Sequence, residues 1–206
     1  ENLDIFWENL SAKMNCVEEI PSNRWNKENY YQETKQKGKS YGKWGGFLDS
    51  ALNFDSLFFN ISPKEASNID PQERIFMETA WHTLEDAGYT PEMLKAKFDN
   101  NVGVFVGVMS HDYVLYNMPD LLEGKTDGYG TALASIANHV SYSLNLNGPS
   151  IALDTMCSSS LSSIDLAIHH LIKGNCKMAI AGGVNLLLHP SKYNILSNGH
   201  FLSQDG

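Results

Sequence analysis

Apolar residues recur at helical spacing along some stretches of the chain and in unbroken runs along others. Phe76, Met77, Ala80, Trp81, Leu84 and Ala87 fall on one stripe, which predicts a helix. Its entry is Asp70-Pro-Gln-Glu73, a capping box with proline at the first helical position, and its exit is Gly88, a residue that accepts the left-handed cap conformation. Ser62-Pro-Lys-Glu65 is a second capping box just upstream. Leu133, Ile136, Ala137, Val140 and Leu144 mark another helix, stopped by the turn Asn147-Gly-Pro149. Leu161, Ile164, Ile168, Leu171 and Ile172 mark one closed by Gly174. A further helix starts over 191–196, and Phe6, Trp7 and Leu10 predict a short amphipathic helix over 3–10.

Between the helices lie runs of another kind. Val-Gly-Val-Phe-Val-Gly-Val at 102–108 is apolar throughout, as a strand covered on both faces is. Residues 150–154 read as a second strand, and 178–188, broken at Gly182-Gly183, as a third. Strand, helix, strand, helix, strand in this order predicts an α/β domain with a covered, largely parallel sheet. The polar, lysine-rich stretch 26–43 is expected to be an exposed loop, and Phe54, Phe58 and Phe59 to be core. No repeat, low-complexity block or linker interrupts residues 1–206, so they are taken as one domain. The last residues, Leu202-Ser-Gln-Asp-Gly206, lead into no further core element, and the chain is expected to be cut there.

Composition narrows the function. Fifteen Lys+Arg against 24 Asp+Glu leave a net charge of −9, which excludes the electrostatic footprint of a nucleic-acid binder and of a polybasic membrane binder. No apolar run reaches the roughly 18 residues of a membrane span, and the opening segment is no signal peptide. Three scattered cysteines make no disulfide framework, so a reducing, cytoplasmic setting is expected.

One cysteine stands apart. A buried strand delivers Cys157 to the first turn of an apolar helix, followed by three serines. Helix-start N–H groups and the positive end of the helix dipole stabilise a thiolate. Small neighbours let substrate approach, as in the strand–nucleophile–helix elbow of hydrolases. The Cys157 backbone N–H is a natural oxyanion donor for a thioester formed there. The alternative is a cysteine that only fills space, the commoner fate of a lone one; Cys16 and Cys176 take that structural reading. The seven histidines offer no rival site. His169 and His170 point roughly 100° apart on one helix, and His82, His111, His139, His189 and His200 have no metal-ligand spacing with any cysteine. The glycines of 102–108 are not a dinucleotide fingerprint. Neither a metal site nor a cofactor site is expected.

The segment Asp154-Thr-Met-Cys-Ser-Ser-Ser-Leu161 closely resembles the active-site signature of β-ketoacyl synthases, in particular the ketosynthase domains of modular polyketide synthases. In the same family order follow Gly45-Gly-Phe-Leu-Asp49, the run 54–63, Asp70-Pro-Gln-Glu-Arg74, Leu84-Glu-Asp-Ala-Gly-Tyr89, Ile136-Ala-Asn-His-Val-Ser-Tyr142, Ala181-Gly-Gly-Val-Asn185 and Leu202-Ser-Gln-Asp-Gly206. Met156 departs from the alanine that many members carry, a change expected to reshape the acyl pocket. The resemblance implies a thiolase-like layered α-β-α fold, of which this chain is roughly the N-terminal half. It also implies an acyltransferase: Cys157 takes an acyl chain from acyl carrier protein for decarboxylative Claisen condensation with a malonyl-type extender. Phosphopantetheine arrives as part of the substrate, so no resident cofactor is implied. The family's two histidines and lysine lie C-terminal to the cysteine, and their motifs do not occur in these residues. A homodimer, paired through the strand before Cys157, and the other modules of a multidomain synthase are the implied partners. The stretch 111–130 is expected to be a long loop lining the acyl tunnel or the dimer interface. A non-elongating ketosynthase, another thiolase-fold synthase and a non-catalytic interaction domain remain the alternatives.

Overall fold

A computed structural model describes residues 2–125 and 132–206. In chain order the first elements are α1 (Leu3–Ser11), β1 (Glu18–Glu19), β2 (Trp44–Gly45), α2 (Pro63–Asn68), α3 (Pro71–Asp86), α4 (Pro91–Phe98) and β3 (Val102–Val108). After them come α5 (Val114–Leu122), α6 (Leu133–Ser143), β4 (Ser150–Leu153), α7 (Ser159–Ile172), β5 (Met178–Val184) and α8 (Ser191–Asn198). They form two compact units, Ser50–Leu186 and Glu1–Asp49 with Leu187–Gly206.

The larger unit is built around β3, every residue of which is buried. It lies between β4 and β5 and pairs with both in parallel, in the order β4-β3-β5. Alternation along β3 separates two layers. Val102, Val104, Val106 and Val108 join Phe76, Met77, Ala80 and Leu84 of α3 and Ile136, Ala137 and Val140 of α6 in one core. Phe105 packs instead with Ala167 of α7 and with Cys176. Each buried valine contributes on the order of 1.5 kcal/mol or more. Gly107 shares Phe105's side of the strand, and there α7 comes closest: a Cβ at Gly107 would lie 2.6 Å from the Ser160 nitrogen. Strand β5 runs unbroken through Gly182-Gly183, where a break was expected, and stops at Val184, short of the expected 188. A Cβ at Gly183 would meet that of Ser160 at 2.7 Å.

The helix signals operate as local chemistry dictates. Ser62 Oγ accepts from the Glu65 N–H at 3.2 Å and Asp70 Oδ1 from the Gln72 N–H at 2.8 Å. Gly88 and Gly174 follow α3 and α7 in the left-handed conformation (φ +72° each). Helix α6, by contrast, ends ahead of the expected turn, where Asn145 takes φ +53°. Two helices correct the sequence reading. Helix α4 is capped by Thr90, whose side chain accepts from the Met93 N–H. Helix α5 occupies part of the stretch 111–130 expected to be loop, the rest of which, from 126, lies outside the described residues. Phe54 and Phe59 pack on the core as expected, but Phe58 is half exposed, edge-on to Phe59 and Trp81.

The 70–74 segment braces this unit. Gln72 donates from its amide to the Ser110 carbonyl beyond β3 (2.7 Å) and accepts from the Leu186 N–H beyond β5 (3.0 Å). Arg74 donates twice to the Ile69 carbonyl. Glu73, fully buried, meets Ser135 and His139 of α6, and burial holds His139 below the usual histidine range.

The smaller unit pairs β1 with β2 antiparallel and buries Ile20, Trp25 and Tyr193. The Tyr193 hydroxyl donates to the Trp44 carbonyl at 3.0 Å, and its ring meets Trp25 edge-on at 5.6 Å. Stretch 26–43 is mostly exposed, as expected, though Ser40 is buried. Helix α1 forms where its apolar spacing places it and buries none of its residues.

Candidate functional site

The C-terminal ends of the three parallel strands converge, the place where open parallel sheets hold ligands. An open depression of about 340 Å³ lies there, lined among others by Met109 beyond β3, Met156 and Cys157 beyond β4, and Asn185 beyond β5. Its floor is Gly107 and Gly183, whose missing side chains let the start of α7 sit against the sheet.

Between β4 and α7 the chain makes one tight turn. Asp154 Oδ1 accepts from the Met156 N–H at 2.7 Å. The Ser159 hydroxyl accepts from the Thr155 N–H at 2.9 Å and donates to the Met156 carbonyl at 2.7 Å. Thr155 Oγ1 donates to Ser162 Oγ at 2.9 Å, and Ser158 Oγ donates to the Thr155 carbonyl at 2.9 Å. The serines that the sequence marked as small spacers therefore also fasten the turn. Met156 takes φ +58°, the left-handed region that costs a residue with a Cβ about 1–2 kcal/mol. A single 3-10 turn, Met156–Ser158, leads from there into α7. Cys157 stands on it, exposed, and lines the depression. Exposure argues against a cysteine that merely fills space, since such a thiol is normally buried.

Cys176 is that buried kind: it packs beside Phe105, and burial pushes its thiol up. Cys16 is exposed, a correction to its expected packed role, because the polar segment around it buries no core. Of the histidines in this unit (His82, His111, His139, His169 and His170), none lines the depression. His82 faces Glu85 at the surface, His169 Nδ1 meets the Asp165 carbonyl, and His170 pairs with Asn175. Among the described residues no group of three His, Cys, Asp or Glu could hold a metal ion.

Met109, Asn185, Gly107 and Gly183 were not among the expected site residues. Gly183 and Asn185 lie in the family-like segment 181–185, whereas the sequence signal of Gly107 and Met109 is position at, or one step from, the end of an apolar strand, which becomes legible once the strand order is known.

Residues 1–206 match the family profile described as "Beta-ketoacyl synthase, N-terminal domain". The chain is 48% identical over 211 residues to polyketide synthase PksL of Bacillus subtilis and 46% identical over 206 residues to polyketide synthase ThaG of Burkholderia thailandensis. It is covered completely in both matches but spans only 5% and 4% of those proteins. Among solved structures it resembles the oxazolomycin ketosynthase domain OzmH KS7 of Streptomyces albus JA3453, with a TM-score of 0.95 and 48% identity over all of this chain and 36% of that one. The ketosynthase from module 6 of the bacillaene synthase of Bacillus subtilis gives a TM-score of 0.84 and 38% identity over all of this chain and 33% of that one.

Proposed function

Because this chain belongs to the β-ketoacyl synthase family and has the thiolase-like layered fold of polyketide synthase ketosynthases, we propose that Cys157 is the nucleophile of such a domain and carries the growing acyl chain. The observation that supports this reading above all is the exposed thiol on the tight turn from β4 to α7, opening onto the depression. Residues 1–206 are then the N-terminal part of the domain.

The chemistry follows from that placement. The Cys157 thiolate attacks the carbonyl of an acyl chain held as a thioester on the phosphopantetheine arm of an acyl carrier protein. The Cys157 backbone N–H stabilises the oxyanion, the carrier thiol leaves, and the acyl group stays on Cys157 as a thioester. A malonyl-type thioester on a carrier then loses CO₂, and the electron pair left on its α-carbon attacks the acyl carbonyl. Cys157 leaves as thiolate and the product is a β-ketoacyl carrier thioester. Met156 borders the thiol, so its side chain shapes the space for the acyl chain. Decarboxylation needs fixed donors to the developing oxyanion, and the family's histidines and lysine, C-terminal to the cysteine, supply them.

Partners follow from the same reading: acyl carrier protein, further modules of a multidomain synthase, and a second copy of the domain. Strand β4 is a sheet edge with half-buried residues, and pairing it with its copy across a two-fold axis closes that edge. No helix among the described residues is long and apolar enough to cross a membrane, and a cytoplasmic location is part of the proposal. The test is acylation of the complete domain by an acyl thioester, read by mass spectrometry on the peptide carrying Cys157. Label on that peptide that disappears with Cys157→Ala is the expected result. Acyl-enzyme formed equally well by the alanine variant would overturn the assignment.

A further inference from the structure

We propose that Asp154 is a positioning residue for the nucleophile: its carboxylate holds Met156 in the left-handed conformation that presents Cys157 to the depression. The inference rests on the reading of Cys157 above and adds a device that makes it work. Left-handed backbone is natural for glycine and tolerated by asparagine or aspartate, but position 156 carries an unbranched apolar side chain with no polar group to stabilise it. The restraint therefore comes from neighbours, and two are in place. The Ser159 hydroxyl holds the carbonyl side of Met156 at 2.7 Å, and Asp154 Oδ1 holds its N–H at 2.7 Å, closing a turn from a side chain onto the backbone two residues on.

The two clamps differ in what else they do. Ser159 is buried under the Gly107 contact and belongs to the packing of α7 on the sheet. Asp154 is exposed, so replacing it removes a restraint without opening a cavity. Its effect should therefore fall on the presentation of Cys157, with little change in the fold. A geometric role also separates cleanly from an electrostatic one, because asparagine keeps the accepting oxygen and loses the charge.

The experiment is a double-mutant cycle in the complete domain. Four proteins, the parent, Asp154→Ala, Met156→Gly and the double variant, are compared for the rate of Cys157 acylation by an acyl thioester, with Asp154→Asn as the conservative control. Circular dichroism checks folding. The rate of Cys157 alkylation by iodoacetamide is the second readout, since it depends on presentation of the thiol and needs no acyl chemistry. Asp154→Ala is expected to slow both reactions roughly tenfold, the loss of one hydrogen bond from a charged acceptor. Asp154→Asn should retain most of the rate. In the Met156→Gly background, where left-handed backbone needs no support, Asp154→Ala should change the rates less than about twofold. Equal losses in both backgrounds, no loss from Asp154→Ala, or equal damage from Asn and Ala would each overturn the proposal. If the parent is not acylated at Cys157, the functional reading fails, and the alkylation rates of the same variants still decide the role of Asp154.

Discussion

The two units of the chain are held by different forces. In the larger one, a strand with no exposed residue is sandwiched between helices, and its two faces feed separate apolar clusters. In the smaller one three buried apolar residues, an edge-on ring pair and a tyrosine–carbonyl bond join segments about 150 residues apart in sequence, beside two lysines gathered on Glu19. Cys157 stands on the first kind of structure. The nucleophile proposed there has to be held to fractions of an ångström, and backbone packed against backbone at Gly107 gives a geometry that solvent and salt barely alter.

The sharpest way to break that contrast is to empty the larger core. Phe105→Ala removes a ring that is 0% exposed and should cost roughly 3–5 kcal/mol, read by chemical denaturation of the complete domain. A loss under 1 kcal/mol would mean that this face is not the close-packed layer described. Next comes Gly107→Ala, which forces a methyl group against the Ser159–Ser160 backbone where no side chain can move aside. It should cost roughly 3 kcal/mol and also lower Cys157 acylation, because the start of α7 has to shift. Gly46→Ala is the matched control in the smaller unit: a Cβ there meets nothing within 4 Å, so a change within about 0.5 kcal/mol is expected.

The same division governs what could be read before any coordinates. Strand 102–108 and the stops at Gly88 and Gly174 are written in local chemistry, a run of valines and two residues that accept positive φ. The placement of Cys157 between β4 and α7 was legible for the same reason, since strand, small residues and helix follow one another directly. Helix α4 carries a readable start in Thr90-Pro-Glu92 that the apolar pattern, too short there, did not reveal. Helix α5 carries almost none: it lacks a capping side chain and holds Pro119 inside, so its stability is tertiary. Tyr113 at its start donates to the Ser67 carbonyl and faces Arg74. Strands β1 and β2 are two residues each and exist only as a pair made across the intervening residues 20–43, a non-local event that no window along the chain registers. The walls of the depression belong to this class as well, because Met109 and Asn185 come together only through the register of β3 with β5.

Smaller effects belong to the smaller unit. Tyr193→Phe keeps the ring against Trp25 and deletes the hydroxyl that donates to the Trp44 carbonyl. About 1 kcal/mol is expected, the net worth of one hydrogen bond. Amide exchange at Ile20, whose N–H donates to the Lys43 carbonyl, reports the opening of this unit by itself. If exchange there is unchanged while global stability falls, Tyr193 acts elsewhere and the local picture fails.

The smallest effect is also the one that distinguishes the forces most directly. Glu19 accepts from Lys27 and from Lys43, and the two ammonium groups hold its carboxyl below the usual value of 4.5, while the carboxylate raises Lys43 in return. A carboxyl whose pKa is depressed by folding contributes its stabilisation in full above the unfolded value, and the contribution disappears as pH falls through the folded one. Ile20 protection should therefore weaken on acidification below about pH 4.5 in the parent, beyond the intrinsic pH dependence of exchange, and Glu19→Gln should lack that extra limb. Because the three groups are solvent-accessible, added salt should shrink the difference between parent and variant at neutral pH. The packing around Phe105 is apolar apart from the His170 ring and the Cys176 thiol beside it, holds no ion pair, and should not show the salt response. An identical acid limb in Glu19→Gln would mean that the ion pairs contribute nothing to the smaller unit, leaving its aromatic contacts as the main support.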